Sequence, residues 1–226
     1  MLRKAFETAA QQDLIDRNPA KLVSNLARTD KHERRPFTQQ ELSALLSIAE
    51  GDWRAAILMG YYTGLRLGDV QDLVWTQLDL KAEQLSIKTR KTKRMVIIPL
   101  AATLTTFLRS INADGSSQGP LCPTFQGKRV EKLSLEFHAL LVKAALVERR
   151  DYRNHKGDGK RRQYAGLSFH CLRHNTTSAL KNTGATSAVA GDIVGHDSEA
   201  MSRNYTKIDM DAKKAAVDRL PDILGE

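Results

Sequence analysis

The one clear sheet signal in this sequence is a pair of short β-prone runs, residues 85–88 and 95–98, with the basic segment 89–94 between them. Two short runs of that kind, the second closed by Pro99, read as one hairpin. Elsewhere the apolar residues recur at helical spacing. Helices are expected over residues 55–62, 101–111, 130–147, 172–182, 186–194 and 211–220, with a short one starting just beyond Arg66. The first of these is ended by Thr63-Gly64; residues 112–120, rich in Gly and Ser, and the basic loop 149–162 separate the later ones. The fold class that follows is α+β, mainly α: a helical domain carrying one small antiparallel β-sheet.

Three stretches organise the chain. Leu2, Ala5, Phe6, Ala9 and Leu14 fall on one helical stripe that stops at Asn18-Pro19. This helix starts at Met1 with no capping residue before it, so residues 1–27 are expected to be the last helix of a preceding domain that is otherwise missing. Residues 28–36 carry Arg28, Lys31, His32, Arg34 and Arg35 and few apolar side chains, which reads as an exposed basic linker, either laid along a polyanion or simply solvated. Thr38-Gln39-Gln40-Glu41 fits a capping box, and Leu42, Leu45, Leu46 and Ile48 follow at helical spacing, so a main domain spans residues 37–226.

Charge and cysteine usage narrow the function classes. Lys plus Arg number 35 against 26 Asp plus Glu, a formal charge of +9, which favours a polyanionic partner. Cys122 and Cys171 are far apart, in no CxxC or metal-type spacing, and suit a reducing compartment. No apolar run approaches the roughly 18 to 20 residues that span a bilayer, and residues 1–14 lack the apolar centre of a signal peptide. Cytoplasmic residence, without a membrane partner, is the expectation.

Three short segments carry polar residues suited to chemistry. Thr63-Gly64-Leu65-Arg66-Leu67-Gly68-Asp69 sets an arginine between a glycine turn and a helix start. Ser168-Phe169-His170-Cys171-Leu172-Arg173-His174 places His170 and Arg173 three residues apart, on one face of a helix. The spacing of His170 and His174 resembles a zinc pair, but Cys171 stands where the HExxH arrangement needs Glu, so no metal is expected. Val194-Gly195-His196 is followed nine residues later by Tyr205.

Taken together and in this order, the segments resemble the tyrosine recombinase and phage integrase family, which carries TGLRxxE, a hairpin lysine, HxLRH, GH and then a tyrosine. Arg66, Lys91, His170, Arg173, His196 and Tyr205 match it in order over about residues 35–209. Lys88, Lys91 and Lys93 all lie in or beside the hairpin; the family's spacing of eight residues before the closing proline selects Lys91. The sequence departs from the pattern at Asp69, where Glu is commoner, and at Asn175, where small or hydroxyl residues are frequent.

The resemblance implies DNA strand cleavage and rejoining through a 3′-phosphotyrosyl bond to Tyr205, with no metal, ATP or other cofactor. Arg66 and Arg173 then serve as a phosphate clamp, since a guanidinium offers two parallel charge-assisted hydrogen bonds and stays protonated. His170 serves either as the base or relay for Tyr205 or as a hydrogen-bond donor to the phosphate. Lys91 is the general acid for the departing 5′-oxygen, and His196 donates to a non-bridging oxygen. The implied partners are double-stranded DNA and three further copies of the chain in a tetrameric synapse, the chain being nucleoid-associated, and residues 1–27 become the end of a core-binding domain. The apolar side of the last helix, Ala212, Ala215, Ala216, Val217 and Leu220, packs either on its own domain or on a neighbouring protomer. Two other readings share these residues: a non-catalytic DNA-binding module and a type IB topoisomerase.

The DNA surface is expected at Lys93, Arg94 and the loop residues Arg149, Arg150, Arg153, Lys156, Lys160, Arg161 and Arg162. If half of the loop's basic residues touch phosphates, a plot of log affinity against log salt has a slope of about −3, which duplex-binding isotherms in rising salt measure; a slope near zero would remove the loop from the interface.

Overall fold

The computed structural model describes residues 2–22, 35–90, 95–113, 115, 118–149, 166–194 and 210–223. Two compact units are distinguished, Met1–Glu33 and Arg34–Glu226. The first consists of helix α1 (Leu2–Gln11) and a 3₁₀ turn, Pro19–Lys21. Asn18 joins them: its Nδ2 donates to the Arg3 carbonyl at 2.9 Å and to Glu7 Oε2 at 2.6 Å, while its Oδ1 accepts from the Ala20 N–H. Leu2, Leu14 and Leu22 of this unit are all exposed.

In the larger unit the order is α2 (Gln39–Ile48), α3 (Gly51–Thr63), α4 (Leu67–Gln71), β1 (Leu78–Asp79), β2 (Gln84–Lys88), β3 (Met95–Pro99), α5 (Ala102–Ile111), α6 (Val130–Lys143), α7 (Phe169–Asn182), α8 (Ser187–Val194) and α9 (Met210–Asp218). The expected class, helices with one small antiparallel sheet, is the observed one. The sheet has one strand more than the sequence suggested. β1 pairs antiparallel with β2 through Leu78↔Leu85 and Asp79↔Gln84, and a strand of two residues is too short to alternate visibly. The hairpin register runs from Gln84↔Pro99 to Lys88↔Met95.

Local chemistry sets the helix boundaries. The Thr38 hydroxyl accepts from the Glu41 N–H and the Glu41 carboxylate accepts from the Thr38 N–H, the capping box expected at the start of α2. The same carboxylate takes both Nη1 and Nη2 of Arg35, at 2.7 and 2.5 Å, which ties the exposed Arg35 to the start of α2. Those hydrogen bonds hold the Glu41 carboxyl at about 2. Helix α6 stops at Lys143, short of the expected 147, because Ala145 takes a left-handed φ of 55°. The Leu146 and Ala145 N–H groups then fold back onto the Leu141 and Val142 carbonyls and end the helix.

Helix α3 is the centre of the core, buried at every residue from Ala55 to Thr63. A helix apolar or small on all sides can be placed only in the interior, and α7 lies directly against it. Gly60 permits the approach: a Cβ there would stand 2.8 Å from the Phe169 ring tip and 3.0 Å from a Leu172 methyl. The final helix packs on its own unit, with Ala216, Val217, Leu220 and Ile223 in the core. Ala215, expected on its apolar face, is exposed, and Lys213 takes an inward place through an ion pair with Asp192 of α8. Among the described residues no helix is long and apolar enough to cross a membrane.

Replacing Gly60 with Val forces α3 and α7 apart and should lower the unfolding free energy by roughly 1–3 kcal/mol. Urea denaturation followed by circular dichroism measures it; an unchanged midpoint would mean that the two helices have room to spare.

Candidate active site

The site assembles where α3 ends. Gly64 terminates that helix in the left-handed conformation, φ 67°, with its N–H on the Gly60 carbonyl. The turn frees the chain to start α4 three residues later, and Arg66 is the residue that caps α4. A side chain at position 64 would be strained by that φ and would also stand 3.1 Å from Val194, the last residue of α8. The turn before Arg66 is therefore closed from above by the end of the helix that precedes Gly195-His196.

Helix α7 reaches the same turn from the other side. Arg173, only 3% exposed, donates from Nη1 to the Gly64 carbonyl at 2.9 Å, a contact between residues 109 apart in sequence. One turn on, the buried Thr176 hydroxyl lies 2.6 Å from the Tyr61 carbonyl and 3.0 Å from that of Leu172. Two motifs that are remote in the chain are in this way fastened to one another by side-chain to backbone hydrogen bonds. Arg66 remains partly accessible, its side chain 27% exposed.

Asp69 holds Arg66 from below. It is buried, with Oδ2 4.0 Å from Arg66 Nη1 and Oδ1 accepting the Arg90 N–H at 2.8 Å. Arg90 is stitched further to α4, its Nε to Asp72 at 2.8 Å and its Nη1 to the Gly68 carbonyl at 3.4 Å. The start of the hairpin's connecting loop, at the residue before Lys91, is thus tied to the carboxylate that faces Arg66. The sequence offered Asp69 only as a departure from a family pattern; its double duty depends on where the hairpin folds back.

Arg66, Asp69, Arg90, Ser168 and His170 line one cleft of about 450 Å³, closed on the far side by α6 through Val130, Ser134, Leu135 and the buried His138. His138 was not singled out in the sequence, where it shares its helix face with Val130, Ser134 and Leu141. The His170 ring packs edge-on to His174, centroids 5.2 Å apart. Cys171, between them, is buried, its sulfur 3.3 Å from the Ser168 nitrogen and 3.5 Å from the Gly166 carbonyl, and so braces the start of α7. Among the described residues no group of three or more His, Cys, Asp and Glu side chains could hold a metal ion. Both cysteines are free and buried, and burial pushes the Cys122 thiol up to about 12.

Of the six residues predicted for the site, Arg66, His170 and Arg173 are described, and the fold brings them to this one turn and cleft. Lys91, His196 and Tyr205 lie outside the described residues, as do Lys93, Arg94, Arg150, Arg153, Lys156, Lys160, Arg161 and Arg162. Arg149 is described and exposed.

A family comparison agrees with this arrangement: the pattern of the phage integrase family matches residues 35–212. The chain belongs to that family. A protein described as the prophage phiRv2 integrase of Mycobacterium tuberculosis is 26% identical over 217 residues, covering 91% of this chain and 56% of its own length. The chain thus spans little more than half of that relative. Among solved structures, the integrase from mycobacterium phage Brujita superposes with a TM-score of 0.63 at 20% identity, over 97% of this chain and 69% of that one. Lambda integrase (75–356), as a dimer bound to a COC′ core site, gives 0.63 at 18% identity over 92% and 73%. Lambda integrase as a tetramer bound to a Holliday junction gives 0.61 at 18% identity over 92% and 59%. At these identities the structures establish a shared fold.

The two arginines differ in what they do for the fold. Arg66→Ala should cost no more than about 1 kcal/mol, because its side chain is part-exposed and its ion pair with Asp69 is long, at 4.0 Å. Arg173→Ala strands the Gly64 carbonyl in a buried site and should cost roughly 1–3 kcal/mol. Chemical denaturation of both variants tests this, and equal losses would contradict it.

Proposed function

We propose that this chain cuts and rejoins duplex DNA at specific sites by attack of Tyr205 on a backbone phosphate. The observation that carries the reading is the hydrogen bond from Arg173 to the Gly64 carbonyl, which joins the TGLR and HxLRH motifs of the family at one point of the fold. A phosphoryl group in transfer gathers negative charge on its non-bridging oxygens, and cations held rigidly where that charge develops are the main catalytic device. Arg66 and Arg173 are that device here, with Asp69 and the Gly64 carbonyl holding them in place.

In the proposed step the Tyr205 oxygen bonds to phosphorus as the bond from phosphorus to the 5′-oxygen breaks. The phenolic proton, with an ordinary pKa near 10, passes to His170 or through it. Lys91 gives a proton to the departing 5′-oxygen, and His196 donates a hydrogen bond to the phosphate. The phosphotyrosyl ester keeps the energy of the broken bond, so the reverse attack by a 5′-hydroxyl reseals the strand without ATP. Two other tyrosines, Tyr61 and Tyr62, are excluded as nucleophiles by burial, which raises both phenols and pushes Tyr62 up to about 12.

Around this centre, residues 149–162 with Lys93 and Arg94 form the phosphate-contacting surface. Residues 1–27 are the last helix of a core-binding domain, residues 28–36 the linker and residues 37–226 the catalytic domain. Exchange takes place in a tetramer on two duplexes, in the cytoplasm at the nucleoid.

Incubation with nicked duplexes of random sequence, followed by SDS electrophoresis, tests the reading. Wild type is expected to leave a denaturant-resistant DNA adduct, and Tyr205→Phe none. Intact binding with no adduct from wild type would make the chain a non-catalytic module, whereas adducts that relax supercoils without exchanging strands would make it a topoisomerase.

A further inference from the structure

One side chain outside the family's motifs joins the start of the larger unit to the helix of the clamp. The Asn175 carboxamide meets the backbone of Phe37 at both of its polar groups: Oδ1 accepts the Phe37 N–H at 2.8 Å and Nδ2 donates to the Phe37 carbonyl at 2.6 Å, across 138 residues of sequence. A carboxamide offers donor and acceptor side by side, so it takes the place of a neighbouring strand. A small apolar side chain can make neither bond, and a hydroxyl, which donates and accepts through a single shorter-reaching oxygen, lacks the separate donor and acceptor atoms that meet Phe37 here.

What Asn175 grips is itself rigid. Phe37 is 4% exposed and part of the core. Thr38 and Glu41 close the capping box directly after it, and Arg35, directly before Pro36, pairs with the same Glu41. Residues 35–41 therefore behave as one block, and Asn175 is its bond to α7. Two residues earlier on α7, Arg173 holds the Gly64 carbonyl. Residues two apart on an α-helix point about 200° from one another, so these fastenings grip α7 from opposite sides.

We propose that Asn175 is a positioning residue: by clasping Phe37 it fixes the rotation of α7 about its own axis, and with it the directions of Arg173 and His170. The setting of the phosphate clamp then depends on the segment at which the chain enters this unit. A load applied at Arg35 reaches α7 through two directional hydrogen bonds, in addition to the non-directional packing of Phe37. The proposal rests on the recombinase reading for its effect on cleavage, and on geometry alone for the clasp.

Asn175→Ala and Asn175→Thr in the full chain test it. Hydrogen exchange without DNA should rise at Phe37 and, together with it, through the first turns of α7; wild-type exchange in α7 in both variants would overturn the proposal. On the nicked duplexes, the single-turnover cleavage rate at saturating protein should fall about tenfold, a misalignment effect, with duplex affinity unchanged. In an Arg173→Lys background the same substitutions should add clearly less than tenfold slowing, since the part of the effect that passes through Arg173 is already lost and only the part through His170 remains. Equal slowing in both backgrounds, or a wild-type rate in the single variants, would overturn it. A wild type that forms no adduct counts against the recombinase reading alone, and the exchange measurement still decides the clasp.

Discussion

The packing of α7 on the end of α3 is the contact on which the site depends. It is made close by the absence of a side chain at Gly60, and it is made specific by what α7 brings with it: Arg173 to the Gly64 carbonyl and Thr176 to that of Tyr61. Apolar burial alone would hold two helices together without fixing rotation or register. Hydrogen bonds between buried groups do fix them, because a mismatched pair leaves a polar atom stranded at a cost of about 1–3 kcal/mol. The turn at Gly64 is thereby both a helix end and the point from which Arg66, Arg173 and α8 take their places.

A second consequence concerns the hairpin. The start of its connecting loop is anchored to α4 through Arg90, whose backbone N–H and guanidinium reach Asp69, Asp72 and the Gly68 carbonyl. Asp69 serves Arg66 and Arg90 together, so a carboxylate one methylene shorter than the family's usual Glu still spans both partners. The shorter side chain suits a buried position with little freedom, and Arg90 supplies its backbone N–H to meet it.

The final helix makes a related point about charge in the interior. α9 lies against β3 and α8, and Lys214 donates to the Leu100 carbonyl while pairing with Glu83 and Asp218. Lys213 pairs with Asp192, and Arg219 donates to the Thr183 carbonyl. Apart from Asp218, which is on α9 itself, these partners come from four separate elements and loops, so the end of the chain is fastened by its basic side chains as well as by Val217 and Leu220. Its weak apolar stripe gave little sign of such an anchorage.

Much of the fold was legible in the sequence because its signals are local. The capping box at Thr38, the glycine end of α3 and the paired β-prone runs of the hairpin each depend on a few adjacent residues, and the structure keeps all of them. The order of Arg66, His170 and Arg173 within their motifs was legible for the same reason. What only the tertiary structure decided is which distant groups meet: Arg173 with Gly64, Asp69 with Arg90, Asn175 with Phe37. Those meetings turn on backbone carbonyls and N–H groups, which every residue carries alike. No choice of side chain at the receiving end marks them in a sequence, and only the folded path of the chain brings donor to acceptor.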